Sequence, residues 1–226
     1  MNEQTAIVIG ATGLIGHVVV EVLLKDPAFS KVRILVREKT GLSHPKLEEK
    51  IVNFNDIADY TSKFGKGDVI FSCVGTTQKK VKGDKNAYKK VDFDIPVNAA
   101  KIGIENGFKK FMLVSSIGAD ATSKNFYLKL KGETEDALKE FPFESIGFFQ
   151  PSILLGERNE HRSGEQFAKM LMRTFSKLLI GGYKKYRAID AIDVAAAMVN
   201  ESKKHNPGVH SFEYAAIMEI SKGETI

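Results

Sequence analysis

The chain has 226 residues, of which 43% are hydrophobic and 27% are charged, and its formal net charge is +5. This length buries one substantial core, and this balance of residues excludes disordered and fibrous proteins. We therefore expect a single domain over residues 1–226, whose positive charge favours an anionic ligand of some kind, whether dinucleotide, acidic metabolite or nucleic acid.

The single cysteine and the first residues indicate the cellular compartment. Cys73 has no second cysteine with which to form an intrachain disulfide, as is usual in a reducing compartment. The opening MNEQTAIVIG lacks the basic flank and apolar stretch of a secretory signal, and no run approaches the ~18 apolar residues of a membrane span. We expect a cytoplasmic protein that does not associate with a membrane.

Short apolar runs alternate with longer helical patterns along the chain. Strands are predicted at 5–10, 32–36, 50–54, 68–75, 110–116 and 144–154, and helices at about 14–25, 56–63, 86–106, 126–140, 163–179 and 193–204. The alternation predicts an α/β fold, a Rossmann-type doubly wound parallel sheet with helices on both faces. The alternation is lost after Pro151, and we interpret residues 151–226 as a small C-terminal lid on the substrate side.

A glycine-rich turn, G-x-x-G-x-x-G, directly follows the first strand and opens the first helix. Gly10 would permit the tight turn, Gly13 would let backbone N–H groups approach a pyrophosphate, and Gly16 would allow close packing of helix on strand. A turn without a ligand is the alternative. The predicted cofactor-binding residues of this turn are Gly10, Thr12, Gly13, Leu14, Ile15 and Gly16.

The residue after the second strand indicates which dinucleotide is bound. An NAD site offers a carboxylate there, whereas this chain reads ILVREKT. The Arg37 guanidinium suits a 2′-phosphate through paired hydrogen bonds, so NADP(H) is favoured. Glu38 would argue against this if it turned inward. Asp56, after the third strand, would face the adenine amino group or cap the following helix.

The stretch MLVSSIGADATSKNFYLKLKGE carries the candidate chemistry. Tyr127 and Lys131 are four residues apart on a predicted helix and so share one face. Tyrosine gives up its proton near pH 10 in water, so a tyrosine that works near neutral pH needs a cation beside it, which Lys131 would supply. Ser116, or alternatively Ser115, ends a strand where its hydroxyl can polarise a carbonyl oxygen. A surface tyrosine and lysine on an amphipathic helix is the alternative.

Together the segments GATGLIG, CVGTT, SSIGAD, YLKLK and QPSILLGER resemble the atypical short-chain dehydrogenases/reductases. The resemblance covers about residues 5–200 and is strongest to the branch containing the Tat-interacting, metastasis-suppressor proteins. It implies a Rossmann fold, NADPH binding, and Ser116, Tyr127 and Lys131 in the catalytic positions. In related enzymes the lysine also holds the nicotinamide ribose.

The resemblance also places residues after two later strands at the cofactor. It implies that Cys73, Val74, Gly75 and Thr76 line the adenosine and ribose side. Pro151 follows the sixth strand, where the nicotinamide end often meets backbone, although a simple strand exit accounts for it nearly as well.

The remaining sequence features favour no other kind of site. The five histidines lack metal-ligand spacing, so no metal is expected. The lysine run QKKVKGDKNAYKK is interpreted as a solvated face, and no nucleic-acid partner is predicted.

These patterns leave two hypotheses for the function. One is an NADPH-dependent reductase or dehydrogenase acting on a small carbonyl or alcohol substrate through Ser116, Tyr127 and Lys131. The other is a non-catalytic regulatory protein whose affinity for a partner changes with bound NADP(H). A homodimer or a regulatory protein partner is compatible with both.

Overall fold

The computed structural model describes residues 3–155 and 185–223. The strands are β1 Gln4–Ile9, β2 Phe29–Val36, β3 Leu47–Ile51, β4 Val69–Ser72, β5 Lys110–Val114, β6 Ser145–Phe149, β7 Leu154–Leu155, β8 Ile189–Asp190 and β9 Gly208–Phe212. Seven of them form a parallel sheet in the order β3-β2-β1-β4-β5-β6-β9, and β7 pairs with β8 in a separate parallel sheet. The predicted doubly wound α/β fold is confirmed.

Helices cover both faces of the sheet, and because side chains alternate along each strand, the strands contribute to one hydrophobic core on each face. The helices are α1 Gly16–Lys25, α2 Ile57–Phe64, α3 Lys85–Lys89, α4 Ile95–Glu105, α5 Phe126–Lys139, α6 Ala191–Lys203 and α7 Tyr214–Ser221. In β1, Ala6 and Val8 pack with α1, α6 and α7, whereas Ile7 and Ile9 pack with α2, α4 and α5. Both faces of the central strands are therefore buried, as their continuously apolar runs predicted, whereas the edge strands β3 and β9 are partly exposed.

The helix predicted at 86–106 is divided by a π-helical turn over Lys90–Asp94. Pro96 has no N–H with which to reach the carbonyl of Asp92 four residues earlier. The helical hydrogen-bond pattern shifts by one residue here, so that the N–H of Ile95 donates to the carbonyl of Lys90, five residues earlier. The freed Asp92 carbonyl accepts a hydrogen bond from the Thr134 hydroxyl at 3.2 Å.

The C-terminal segment contributes more than the expected lid. Its strand β9 pairs with β6 and extends the main sheet, while α6 and α7 cover the face that carries α1. The strand predicted at 144–154 ends at Phe149, and Pro151 follows it. The helix predicted at 163–179 lies outside the described residues. Among the helices that the structure describes, none has the length and apolar character needed to cross a bilayer.

Candidate functional site

A cleft of about 1040 Å³ opens at the carboxyl ends of β1 and β4. After β3 the chain crosses back to the other side of β1, so the loops following these two neighbouring strands diverge and leave a crevice. Of the predicted cofactor residues, those that line the cleft are Gly10, Thr12, Gly13, Arg37, Asp56, Cys73, Val74, Gly75 and Thr76.

The glycine turn forms one wall of the cleft and brings backbone close to backbone. Gly10 has φ +81°, and a methyl group there would lie 2.7 Å from the carbonyl group of Cys73. A methyl group on Gly16 would lie 2.7 Å from the carbonyl carbon of Gly10 and closer still to its oxygen. Helix α1 can therefore start tight against β1, and residues 10–13, which precede it, line the cleft.

The apolar residues of the turn face the core instead. Ile15 is buried and Leu14 packs against the cluster that includes Val19 and Val20. Their side chains support the start of α1, so any contact of theirs with a cofactor would come from the backbone.

Two charged residues border the far side of the cleft. Arg37 is exposed directly after β2, and within residues 3–155 and 185–223 its guanidinium has no hydrogen-bonded or ion-paired partner. Asp56 caps α2, since its carboxylate accepts hydrogen bonds from the N–H groups of Ala58 and Asp59. The capping alternative for Asp56 is thus observed, and its carboxylate still lines the cleft.

The segment after β4 forms the wall opposite the glycine turn. Burial raises the pKa of the Cys73 thiol to about 12, so Cys73 is a packed thiol with little thiolate near neutral pH. Val74 packs against the core on the α4 side. Thr76 is held by its backbone, because its N–H donates to Asp92 Oδ2 at 2.9 Å and its carbonyl accepts from the Tyr88 hydroxyl at 3.0 Å.

Helix α5 brings Tyr127 and Lys131 beside this wall. Asn125 caps the helix through the N–H groups of Tyr127 and Leu128, so Tyr127 lies in the first turn. Lys131 is buried, and its ammonium lies 3.0 Å from Asp92 Oδ1, the carboxylate that also holds Thr76. The predicted Tyr-Lys face is therefore adjacent to the segment after β4 that lines the cleft.

The two serines after β5 have different environments. The Ser115 hydroxyl donates to the buried carboxylate of Glu135, which also accepts from the side-chain amide of Gln150 at 2.9 and 3.1 Å. Among the described residues, the Ser116 hydroxyl has one contact, at 3.4 Å to the carbonyl of Ile117. The Ser115 hydroxyl is thus held by a buried carboxylate and that of Ser116 by a long contact, and the role of either serine at a ligand stays a prediction.

Pro151 lies at the neighbouring strand end rather than in the cleft. It is buried after β6, and its carbonyl accepts from the N–H of Ile117 at 3.1 Å. This bond ties the loop that follows Ser116 to the end of β6. Pro151 thus acts as a strand exit that supports the serine loop, and its contact with a cofactor stays a prediction.

Sequence reasoning missed two residues that join the cleft to α5, namely Tyr88 and Asp92. Tyr88 lies in the lysine run interpreted as a solvated face and Asp92 follows that run by two residues, yet both are buried. Burial raises the pKa of the Tyr88 hydroxyl well above its ordinary value, and the charges of Asp92 and Tyr127 act in the same direction. Pro96, inside a helical pattern, was the available signal for a local irregularity here.

A metal centre would need a group of acidic, cysteine or histidine side chains. In the part of the chain that the structure describes, no group of three or more of them could hold a metal ion.

Comparisons with known proteins agree with this geometry. A family described as NAD(P)H-binding matches residues 10–141. The rat protein HTATIP2 is 31% identical over 98% of this chain and 91% of its own length, and the mitochondrial protein FMP52 of Eremothecium gossypii is 34% identical over 98% and 99%.

Solved structures share the fold at low identity. A UDP-N-acetylglucosamine 4-epimerase from Methanobrevibacter ruminantium superposes with a TM-score of 0.70 at 18% identity, covering 94% of this chain and 77% of the epimerase. MoeE5, solved with UDP-glucose and NAD, gives a TM-score of 0.67 at 14% identity, covering 96% and 80%. These likenesses support the Rossmann-type architecture alone.

The relatives overturn the expected cytoplasmic location. The FMP52 proteins of Candida albicans, Eremothecium gossypii and Aspergillus clavatus are all named as mitochondrial. The expectation rested on the lack of a secretory signal and of an apolar span, and neither feature reports on mitochondria.

The family match spans more than half of the chain, and relatives above 30% identity cover nearly all of it. The resemblance to the short-chain dehydrogenases/reductases is confirmed at the level of the family. The chain therefore belongs to the NAD(P)H-binding family, with HTATIP2 and the FMP52 proteins among its relatives.

Proposed function

We propose that this protein is an NADP(H)-dependent oxidoreductase that interconverts a small carbonyl compound and its alcohol. The observation that carries the proposal is the adjacency of two features at one edge of the sheet. Thr76 lines the dinucleotide cleft and shares the carboxylate of Asp92 with Lys131, which lies one turn after Tyr127.

The cleft fits a dinucleotide in shape and in backbone chemistry. The left-handed conformation of Gly10 and the close approach of Gly16 set the start of α1 against the cleft, where N–H groups and the helix dipole favour a pyrophosphate. A side chain at Gly13, which lines the cleft, would take up part of this space. The family match supports a nicotinamide dinucleotide as the ligand.

Arg37 supports NADP(H) over NAD(H). Its exposed guanidinium borders the cleft directly after β2, where a ribose hydroxyl or a 2′-phosphate of the cofactor would come. The nearby carboxylate of Asp56 is engaged as a helix cap. A planar guanidinium can bind phosphate with two parallel hydrogen bonds.

The remaining residues supply proton transfer and orientation. The bound dinucleotide supplies or accepts the hydride. The Tyr127 hydroxyl gives its proton to the substrate oxygen during reduction and takes it back during oxidation. The Ser116 hydroxyl donates to the same oxygen, and the Lys131 ammonium stabilises the negative charge left on Tyr127.

The first experiment is a fluorescence titration with NADPH and NADH. Wild-type protein should bind NADPH at least ~10-fold more tightly than NADH, a difference of about 1.4 kcal/mol. Arg37→Gln should remove most of this preference. Lys31→Gln is the matched control, since it removes the same charge from an exposed site near the other end of β2. Equal binding of both cofactors would refute the NADP(H) assignment.

The second experiment tests catalysis with a panel of carbonyl substrates and NADPH. Tyr127→Phe should abolish turnover while leaving NADPH affinity within about twofold, because it removes one proton and keeps the ring. If the wild type bound NADPH tightly but turned over no substrate of the panel, the proposal of an enzyme would be wrong. The hypothesis of a regulatory protein that responds to the cofactor would then remain.

A further inference from the structure

Two buried side chains on one helical segment hold the backbone of Thr76 from both sides. The Tyr88 hydroxyl donates to its carbonyl at 3.0 Å, and Asp92 Oδ2 accepts from its N–H at 2.9 Å. Thr76 lies beyond the end of β4, so side chains take the place of the strand partners that would otherwise satisfy these groups. Thr76 is therefore fixed in position at the wall of the cleft.

The same two side chains contact the Tyr-Lys face of α5. Asp92 Oδ1 lies 3.0 Å from the Lys131 ammonium. The Tyr88 ring packs edge-on against the Tyr127 ring, with the centroids 6.5 Å apart and the planes at 73°. Tyr88 and Asp92 are four residues apart, as are Tyr127 and Lys131, so one pair matches the other across the interface.

The π-helical turn explains how Asp92 comes to occupy this position. Pro96 removes the N–H that would bond the Asp92 carbonyl, and that carbonyl instead lies 3.2 Å from the Thr134 hydroxyl on α5, whose proton it shares with the Leu130 carbonyl at 2.7 Å. Both the backbone and the side chain of Asp92 thereby contact α5. π-helical turns inside α-helices are frequent at functional sites.

The ion pair is too deeply buried to be explained by stability alone. The side chains of Lys131 and Asp92 are 6% and 1% exposed, and a buried ion pair often contributes less than an apolar pair of the same size. An ammonium has three N–H donors. Asp92 directs one of them and thereby sets where the other two point.

We infer that Asp92 and Tyr88 are positioning residues that connect the cofactor wall at Thr76 to Lys131 and Tyr127. Asp92 aims the Lys131 ammonium at the nicotinamide ribose, and Tyr88 fixes the wall beside the adenosine half of the cofactor. The inference rests on the proposed function, because it requires that the cleft bind NADPH with Lys131 at the nicotinamide end.

The test compares two probes, NADPH and adenosine 2′,5′-bisphosphate, which lacks the nicotinamide half. Asp92→Asn keeps an acceptor for the Thr76 N–H and removes the charge beside Lys131. It should weaken NADPH about 10-fold and the bisphosphate less than about twofold. Lys131→Met should do the same, and combining the two changes should weaken NADPH no further than either alone.

Tyr88→Phe provides a second variant that keeps the ring and both buried charges. It should weaken both probes about threefold, because the lost hydroxyl frees the Thr76 carbonyl at the adenosine side. Tyr214→Phe is the matched control, since it makes the same change in a partly buried tyrosine on α7, outside the cleft lining. The control should bind both probes like the wild type.

The outcomes separate the inference from the proposed function. The inference would be overturned if Asp92→Asn lowered the affinities for both probes equally. It would also be overturned if the double variant bound NADPH more weakly than either single variant. In both cases NADPH binding by the wild type would still support the proposed function. If Asp92→Asn does not fold, wild-type affinities in Tyr88→Phe would overturn it. Failure of the wild type to bind NADPH would refute the proposed function, and the inference with it.

Discussion

Gly132→Ala is expected to displace the helix that carries Tyr127 and Lys131. A methyl group on Gly132 would lie 2.6 Å from the Cα atom of Asp120 and closer still to the carbonyl carbon of Asp120 and the nitrogen of Ala121. These are backbone atoms of the loop between β5 and α5, so no side-chain rotation relieves the clash. Ordinary contact begins at 3.4 Å, and α5 must therefore move by roughly 1 Å.

The size of the effect follows from two opposing terms. Overpacking costs about 1–3 kcal/mol, while replacing glycine by alanine within a helix returns up to about 1 kcal/mol. The net loss of about 1–2 kcal/mol should lower Tm by about 2–8 °C in a domain of this size. A shift of 1 Å in the Tyr-Lys face can cost about 100-fold in turnover, and NADPH affinity should fall more than that of adenosine 2′,5′-bisphosphate.

Thermal denaturation and titration of both probes provide the assay. Gly103→Ala is the control, because it makes the same change inside α4 but meets the terminal methyl group of Ile70, which can rotate away. The control should keep the wild-type ratio of the two affinities. Wild-type Tm and wild-type NADPH affinity in Gly132→Ala would refute the reasoning.

Three further predictions concern other parts of the molecule. Burial raises the pKa of Cys73 to about 12, so its reaction with a disulfide reagent at pH 8 should be about 1000-fold slower than that of a free cysteine. The reaction rate should rise about tenfold per pH unit, and a rate at pH 8 like that of a free cysteine would contradict the prediction. Burial alone would raise the pKa of Asp26, but its hydrogen bond from Lys203 and its other contacts lower it overall, so this carboxylate stabilises the fold above its unfolded pKa and the contribution is lost as the pH falls. Urea denaturation should show Asp26→Asn less stable by up to about 0.5 kcal/mol at pH 7, with the difference shrinking as the pH falls through the lowered pKa of Asp26, whereas a difference that did not shrink in acid would exclude this linkage. Gly10→Ala should be strained, because Gly10 has a φ of +81° and the added methyl group would meet the Cys73 carbonyl. The variant should lose the rise in Tm that NADPH produces in the wild type, and an unchanged rise would show that the turn tolerates a side chain.

Local patterns were sufficient for the fold and for most of the residues that line the cleft. Apolar runs alternating with helical segments predicted the parallel sheet, because strands covered on both faces must be apolar throughout. The glycine turn was predictable because the positive φ of Gly10 and the close backbone contact at Gly16 both require a residue without a side chain. Strand β9 was missed since its run GVHSF is short and mixed, with Val209 exposed at the edge of the sheet.

The roles of individual polar residues could not be read from the sequence. Ser115 and Ser116 are adjacent and equivalent as letters, and only the packing of α5 gives Ser115 a buried partner in Glu135. Asp92 comes two residues after a lysine-rich run typical of a solvated surface, yet it is 2% exposed and paired with Lys131.

The amino-acid pattern alone predicted the succession of strands and helices, the position of the glycine turn and the four-residue spacing of Tyr127 and Lys131, because each depends on neighbours a few positions away. Which side chains are buried against that pair follows from the tertiary packing. The partners of Lys131 and Ser115 come from segments far apart in the chain, and a buried charge takes whichever partner the packing brings within hydrogen-bond distance.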